Sequence, residues 1–297
     1  MNSDQLLKKI QNLKIWQKGG KRAPHKPLLL LTALSYAQRN KERLLMFGDI
    51  EKPLTDLLIE FGPIRRNYQP EEPFKRLPND GVWELKDNQN NVVEKGSRYT
   101  KSDLKNEAIR GGFTLEIYNL IKSDKGIIGK ISSILLNAHF PKTIHQDILD
   151  AIGLNIDASY QEQTTQQKKR KRDPAFRGKI LEAYNYRCAI CDFDVRLGNT
   201  SIALEAAHIK WHQAGGPDTE NNGLALCSLH HKLLDRGALG ISNKFTVIIS
   251  DKVNGYAGFQ EWLMDFEGKE LSPPKKDIYI PDTDFTDWHI REVFQGN

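Results

Sequence analysis

Cysteine is scarce in this sequence: 297 residues hold three. All three fall into one metal-ligand pattern, which leaves none for a disulfide and suits a reducing compartment. Long apolar runs are missing too. The densest, LLLLTAL at Leu28 to Leu34, is far short of the roughly 20 residues that span a bilayer. The opening MNSDQLLKKIQNL reads as an amphipathic helix without the apolar stretch of a secretory signal. Charge of one sign is not in large excess: 43 Lys and Arg face 38 Asp and Glu, a net +5 that permits nucleic-acid binding without requiring it. No internal repeat is found. The expectation is a cytoplasmic chain without membrane segments, long enough for two domains.

What is present is concentrated. Between Glu205 and Leu239, EAAHIKWHQAGGPDTENNGLALCSLHHKLLDRGAL carries four of the eight histidines and one of the cysteines. The other two, Cys188 and Cys191 in YRCAICD, are spaced so that one tight turn aims both sulfurs at a single tetrahedral ion. Cys227 and His230 in CSLHH repeat that gap, which completes a Cys3His set in two arms separated by 35 residues. Four ligands close the shell, so the expected Zn2+ is structural. The alternative, a redox C-x-x-C with an unrelated buried cysteine, lacks a supporting strand-turn-helix context.

The catalytic histidines must then be others. LEAAHIKW reads as a strand from Ile202 to Ile209, followed by a Gly215 to Pro217 turn, and NGLALCSLHHKLLDRG reads as a turn and a helix closed by Gly237. A histidine on the strand and another on the helix is the layout of a ββα-metal nuclease. The segment from about Arg177 to Ile241 resembles an HNH endonuclease domain of the zinc-stapled, McrA-like kind. The resemblance implies that His208 is the general base, that Asn222, 14 residues on, orients it, and that His231, nine further, ligates a catalytic Mg2+ or Mn2+. Many such enzymes have Asp just before the first histidine. Here that position is Ala207, and Glu205 is the carboxylate able to reach the ion.

Upstream, DASYQEQTTQQKKRKRDPAFRG has almost no apolar residues and five consecutive basic ones, Lys168 to Arg172. It is expected to be a linker over 157–176 that tracks phosphates or simply stays solvated. The expected domains are therefore 1–156 for DNA recognition and 177–297 for the nuclease, in an α+β protein whose first domain is mostly helical. That domain shows a helix at Asp4 to Leu13, a buried one from Pro27, an amphipathic one in DIEKPLTDLLIEFG, and short strands in DGVWELKD and NVVEKG. Phe74, Leu77 and Trp83 are expected in its core.

APHKPLLLL, EEPFKRLPNDGVWEL and the later RGGF resemble the sulfur-binding domain of ScoMcrA-like type IV restriction endonucleases. The resemblance implies recognition of double-stranded DNA in which sulfur replaces a non-bridging phosphate oxygen. Candidates are Pro73 with Tyr68 for an apolar pocket, and Arg22, His25, Lys26 and Arg98 for polar contacts, with Arg110 competing for the role of Arg98. One HNH site cuts one strand, so a homodimer is an expected partner, with FTVIIS and YAGFQEWLMDF as its candidate surface. A modified cytosine is the alternative mark, and a non-catalytic DNA-binding protein the alternative class.

Overall fold

A computed structural model describes the chain except residues 17–18, 95–97, 125, 157–172 and 297. The basic run Lys168 to Arg172 and most of the expected linker lie outside the described residues. The chain forms two compact units, Met1–Lys18 with Ala23–Gln167, and Gly19–Arg22 with Lys168–Asn297. No described helix is long and apolar enough to cross a membrane.

The first unit is built around α2. After α1 (Ser3–Gln11), capped by a reciprocal pair between Asn2 and Gln5, α2 (His25–Gln38) is apolar on every side. Leu28, Leu29, Leu30, Leu31 and Leu34 are all fully buried, as a helix without a polar face must be. Against it pack α3 (Phe47–Phe61), α4 (Glu71–Arg76), α6 (Leu115–Ser123), α7 (Ile127–His139) and α8 (His145–Ile152), while α5 (Lys101–Asn106) packs on α3. A small antiparallel sheet has the order β1-β3-β2, with β1 at Leu45–Met46, β2 at Trp83–Lys86 and β3 at Arg110–Phe113.

Phe47, Phe74, Trp83 and Phe113 stack edge to face in succession at 5.2 to 5.9 Å, so the aromatics expected in the core are there. Of NVVEKG, read from sequence as a second short strand, the described residues form one bridge, Lys86 to Val92, and the ladder partner of β2 is the later RGGF.

The second unit opens with α9 (Phe176–Ala183), so Phe176, placed in the linker by sequence, starts its first helix. A two-strand ribbon, β4 (Arg196–Leu197) and β5 (Thr200–Ser201), precedes the central antiparallel pair β6 (Leu204–His208) and β7 (Gly223–Cys227). GLALC, read from sequence as the approach to a helix, is therefore a strand with all five residues buried. A short apolar run has no period of its own to separate strand from helix. From it the chain enters α10 (Ser228–Asp235), the hairpin β8 (Leu239–Ile241) and β9 (Val247–Ile249), the four-residue α11 (Phe259–Trp262) and α12 (Thr283–Glu292). YAGFQEWLMDF is thus one short turn of helix followed by a 3-10 turn, with Leu263 alone buried among its large apolar residues.

Candidate nuclease and metal centre

The zinc set is assembled by two turns. Cys188 and Cys191 sit in the loop after α9, which docks on β7 through the Ala189 N–H to the Ala225 carbonyl at 2.8 Å. Cys227 ends β7 and His230 lies in the first turn of α10. The four donor atoms all lie within 4.8 Å of one another. The Cys191 and Cys227 sulfurs are 3.9 Å apart, and His230 Nδ1 is 3.7 Å from Cys188 and 3.2 Å from Cys227. Sulfurs bound at 2.3 Å around a tetrahedral zinc stand about 3.8 Å apart, so the residues fit the ion. His230 Nε2 faces the Trp262 carbonyl at 3.3 Å, which leaves Nδ1 for the metal.

β6 ends on His208, which is 6% exposed and stacked on Phe176 with centroids 4.0 Å apart. Its Nε2 donates to Asp218 Oδ1 at 2.7 Å. Asp218 also accepts the Asp173 N–H at 2.7 Å. Burial would raise the Asp218 pKa, but the Asp173 amide and His208 outweigh it and hold the carboxyl below its ordinary value. A carboxylate on one imidazole nitrogen fixes the orientation of the ring.

Asn222 is wholly buried and grips the loop after His208 from within. Its Oδ1 accepts the Lys210 N–H at 2.9 Å, while its Nδ2 donates to the Lys210 and Pro217 carbonyls at 3.1 and 2.9 Å. The chain passes so close at Gly216 that a Cβ there would stand 1.8 Å from the Lys210 carbonyl oxygen and 2.8 Å from Asn222 Nδ2. Only glycine permits that grip.

His231 on α10 lies between two carboxylates. Nδ1 meets Glu205 Oε2 at 2.6 Å and Nε2 meets Asp235 Oδ2 at 3.2 Å. Ser228 Oγ adds a hydrogen bond to Glu205 Oε1 at 2.8 Å. Burial works to lower the His231 pKa, yet Asp235 and Glu205 together push it up to about 9. One imidazole nitrogen with the Glu205 carboxylate beside it offers donors for a divalent cation, while Asp235 on the opposite nitrogen orients the ring. The structure therefore brings Glu205 to His231, as strand alternation suggested, and adds Asp235.

Sequence reasoning missed three residues here. Asp235 had a signal, the four-residue spacing from His231 that puts both on one helix face. Asp218 lies in a loop with no period, and Phe176 lay in a stretch read as linker.

The candidates for sulfur recognition fare unevenly. His25 Nε2 donates to the Tyr68 carbonyl at 2.9 Å, so these two are neighbours, and Tyr68 is half-buried. Burial first, and then the charge of Arg65, lower the His25 pKa. Arg98 is exposed, as expected of its loop. Pro73 is buried within α4. Lys26 donates to Asp80 at 2.5 Å and to the Lys14 carbonyl at 2.8 Å, with Asp80 only 2% exposed, so its charge is engaged inside the fold. Arg110 holds the turn after β2 through the Asp87 carbonyl and Asn90. Arg22 belongs to the second unit, where its guanidinium lies 4.0 Å over the Trp211 ring.

A strand pair, a helix, and the trio His208, Asn222 and His231 beside a Cys3His staple define the second unit as a ββα-metal nuclease, and residues 188–242 match the HNH endonuclease family. Residues 3–157 match the ScoMcrA-like DNA sulfur-binding domain, and the chain belongs to that family. Among solved structures, the sulfur-binding domain of SprMcrA with phosphorothioated DNA is 21% identical, with a TM-score of 0.45 over 52% of this chain and 95% of that one. The corresponding domain of ScoMcrA, also with phosphorothioated DNA, is 20% identical, with a TM-score of 0.43 over 50% and 94%. The type IV phosphorothioation-dependent restriction endonuclease ScoMcrA is 20% identical, with a TM-score of 0.40 over 50% of this chain and 27% of that one. No curated protein matches the chain.

Proposed function

We propose that this endonuclease binds double-stranded DNA carrying a phosphorothioate and hydrolyses a phosphodiester bond nearby. The observation that carries the proposal is the pairing, in one chain, of a DNA sulfur-binding domain with an HNH constellation. Sulfur is larger, softer and less hydrated than oxygen, so an apolar pocket prefers it while basic groups hold the flanking phosphates. Tyr68, His25 and Arg98 remain the candidates for those contacts. Pro73 stays a candidate for the pocket wall, while the Lys26 charge is taken up by Asp80 and Arg22 packs on Trp211 in the second unit.

At the nuclease centre His208 takes a proton from water, with Asp218 steadying the ring and Asn222 holding the loop. His231 and Glu205 would hold Mg2+ or Mn2+, with Asp235 orienting the His231 ring from its other nitrogen. When bound, that ion stabilises the charge that builds on the scissile phosphate. Zn2+ at Cys188, Cys191, Cys227 and His230 stays structural. Cutting both strands requires a homodimer or two successive visits.

The test is cleavage of one plasmid prepared with phosphorothioates, with methylated cytosine, or unmodified, in Mg2+ and in Mn2+. The expected result is metal-dependent cutting of the phosphorothioate plasmid alone. Cutting of the methylated plasmid instead transfers specificity to modified cytosine. Binding without cutting in either metal makes the protein a regulator.

A further inference from the structure

Four residues from the N-terminal part of the chain, Gly19–Arg22, pack as part of the nuclease unit. Gly19 and Gly20 turn there with φ of +59° and +72°, a left-handed conformation that glycine adopts without strain. The Gly20 carbonyl accepts a hydrogen bond from Trp288 Nε1 at 2.7 Å. The Arg22 N–H donates to Glu292 Oε2 at 2.9 Å, and its Nη1 donates to the Glu292 carbonyl at 2.7 Å. Trp288 and Glu292, both on α12, are each 2% exposed. A buried carboxylate needs such partners.

The outer face of this strap meets the HNH loop. The Arg22 guanidinium lies 4.0 Å over the ring of Trp211, which is 2% exposed and packs edge to face on Trp288 with centroids 6.0 Å apart. The Trp211 carbonyl accepts the N–H groups of Ala214 and Gly216 at 2.9 and 3.0 Å and so closes the turn behind His208. Asn222 holds Lys210, and Arg22 holds Trp211, the next residue. His208 is three residues before that point.

We propose that Arg22 is a positioning residue of the nuclease: it fixes Trp211, and through it the loop that sets His208. Resting on the reading of His208 as the base, the proposal gives the strap a role in the cleavage step and none in holding DNA. A planar, stacked fork suits that task, and lysine does not replace it.

The test uses the full chain with Arg22→Ala and Arg22→Lys. Cleavage of a phosphorothioate duplex gives kcat and KM, and binding of the same duplex is measured in a His208→Ala background. Displacement of a reacting group by about 1 Å costs up to about a hundredfold in rate. The expected result is a kcat lower by about tenfold or more in Arg22→Ala, with KM and duplex affinity within about twofold of the parent, and partial recovery of kcat on adding millimolar methylguanidinium. A kcat within about twofold of wild type in both variants overturns the proposal. So does a loss of duplex affinity that matches the loss of cleavage, since Arg22 would then touch DNA. A kcat loss that methylguanidinium leaves unmoved while the melting temperature falls also overturns it, because the strap would then be only structural. Should Arg22→Ala not fold, Arg22→Lys decides by the same comparison of kcat with affinity. A wild-type protein that binds but never cuts sinks the underlying reading, and this proposal with it.

Discussion

Asp218 sets His208 as a carboxylate sets any imidazole that must face one way, and its removal tests the pair directly. Asp218→Asn keeps the shape but weakens the orienting charge, and kcat should fall by roughly tenfold to a hundredfold with DNA binding unchanged. His208→Ala should abolish cleavage while the protein stays folded and binds duplex as before. Cutting at the normal rate by His208→Ala would show that another group is the base. His289 makes a different prediction. It is fully buried on α12, burial being the main cause that lowers its pKa from 6.5 to about 4, with Nε2 donating to the Leu234 carbonyl at 3.0 Å. Below the ordinary value the unfolded chain takes up a proton that the folded chain refuses. Stability from this group is therefore intact above pH about 6.5 and lost as pH falls toward about 4, by up to about 3 kcal/mol. His289→Gln should flatten that acid limb in denaturant titrations followed by tryptophan fluorescence; an unchanged limb would place the titration elsewhere.

The ββα element depends on its staple. Cys188 and Cys191 hang from a loop, while Cys227 and His230 straddle the junction of β7 and α10, so a zinc held by the four would tie the loop to the helix that carries His231. Chelation, or Cys191→Ala, should lower the melting temperature by more than about 10 °C and remove activity as well, with bound zinc measured by a colorimetric release assay. Unaltered melting after complete zinc release would deny the ion a structural role. At this scale the sequence was unevenly legible. The two C-x-x-(C/H) arms are fixed by ligand chemistry, which tolerates few residue types, and could be read directly, whereas the roles of His208, Asn222 and His231 came from the resemblance to HNH nucleases. GLALC was not, because five apolar residues fit a strand and a helix equally until β6 is seen beside them. Asp218 reaches His208 across a loop whose path depends on Asn222 and Gly216, and no local pattern announces such a meeting.

For the whole molecule, the decisive measurement compares duplexes. The His208→Ala protein should bind a phosphorothioate duplex more tightly than its oxygen twin by about 1 to 3 kcal/mol, roughly tenfold to over a hundredfold in affinity. Both duplexes carry the same charge, so the gap should persist as salt is raised. Equal affinities at every salt concentration would end the sulfur assignment. The resemblance of the first unit was legible in APHKPLLLL and RGGF, whereas the surroundings of its individual side chains were not. Pro73 and Lys26 have surface-like neighbours in sequence and buried surroundings in space, the one inside α4 and the other on Asp80.

The distance along the chain between Arg22 and Glu292 matters during synthesis as well. Their hydrogen bonds join residues 270 apart. At about 5 to 20 residues per second, Arg22 leaves the ribosome roughly 14 to 54 seconds before Glu292. Throughout that interval Gly19–Arg22 has no α12 to clamp it, whereas the intervening recognition unit emerges in about its first half. A newborn chain therefore completes its recognition unit before its nuclease unit is fully braced.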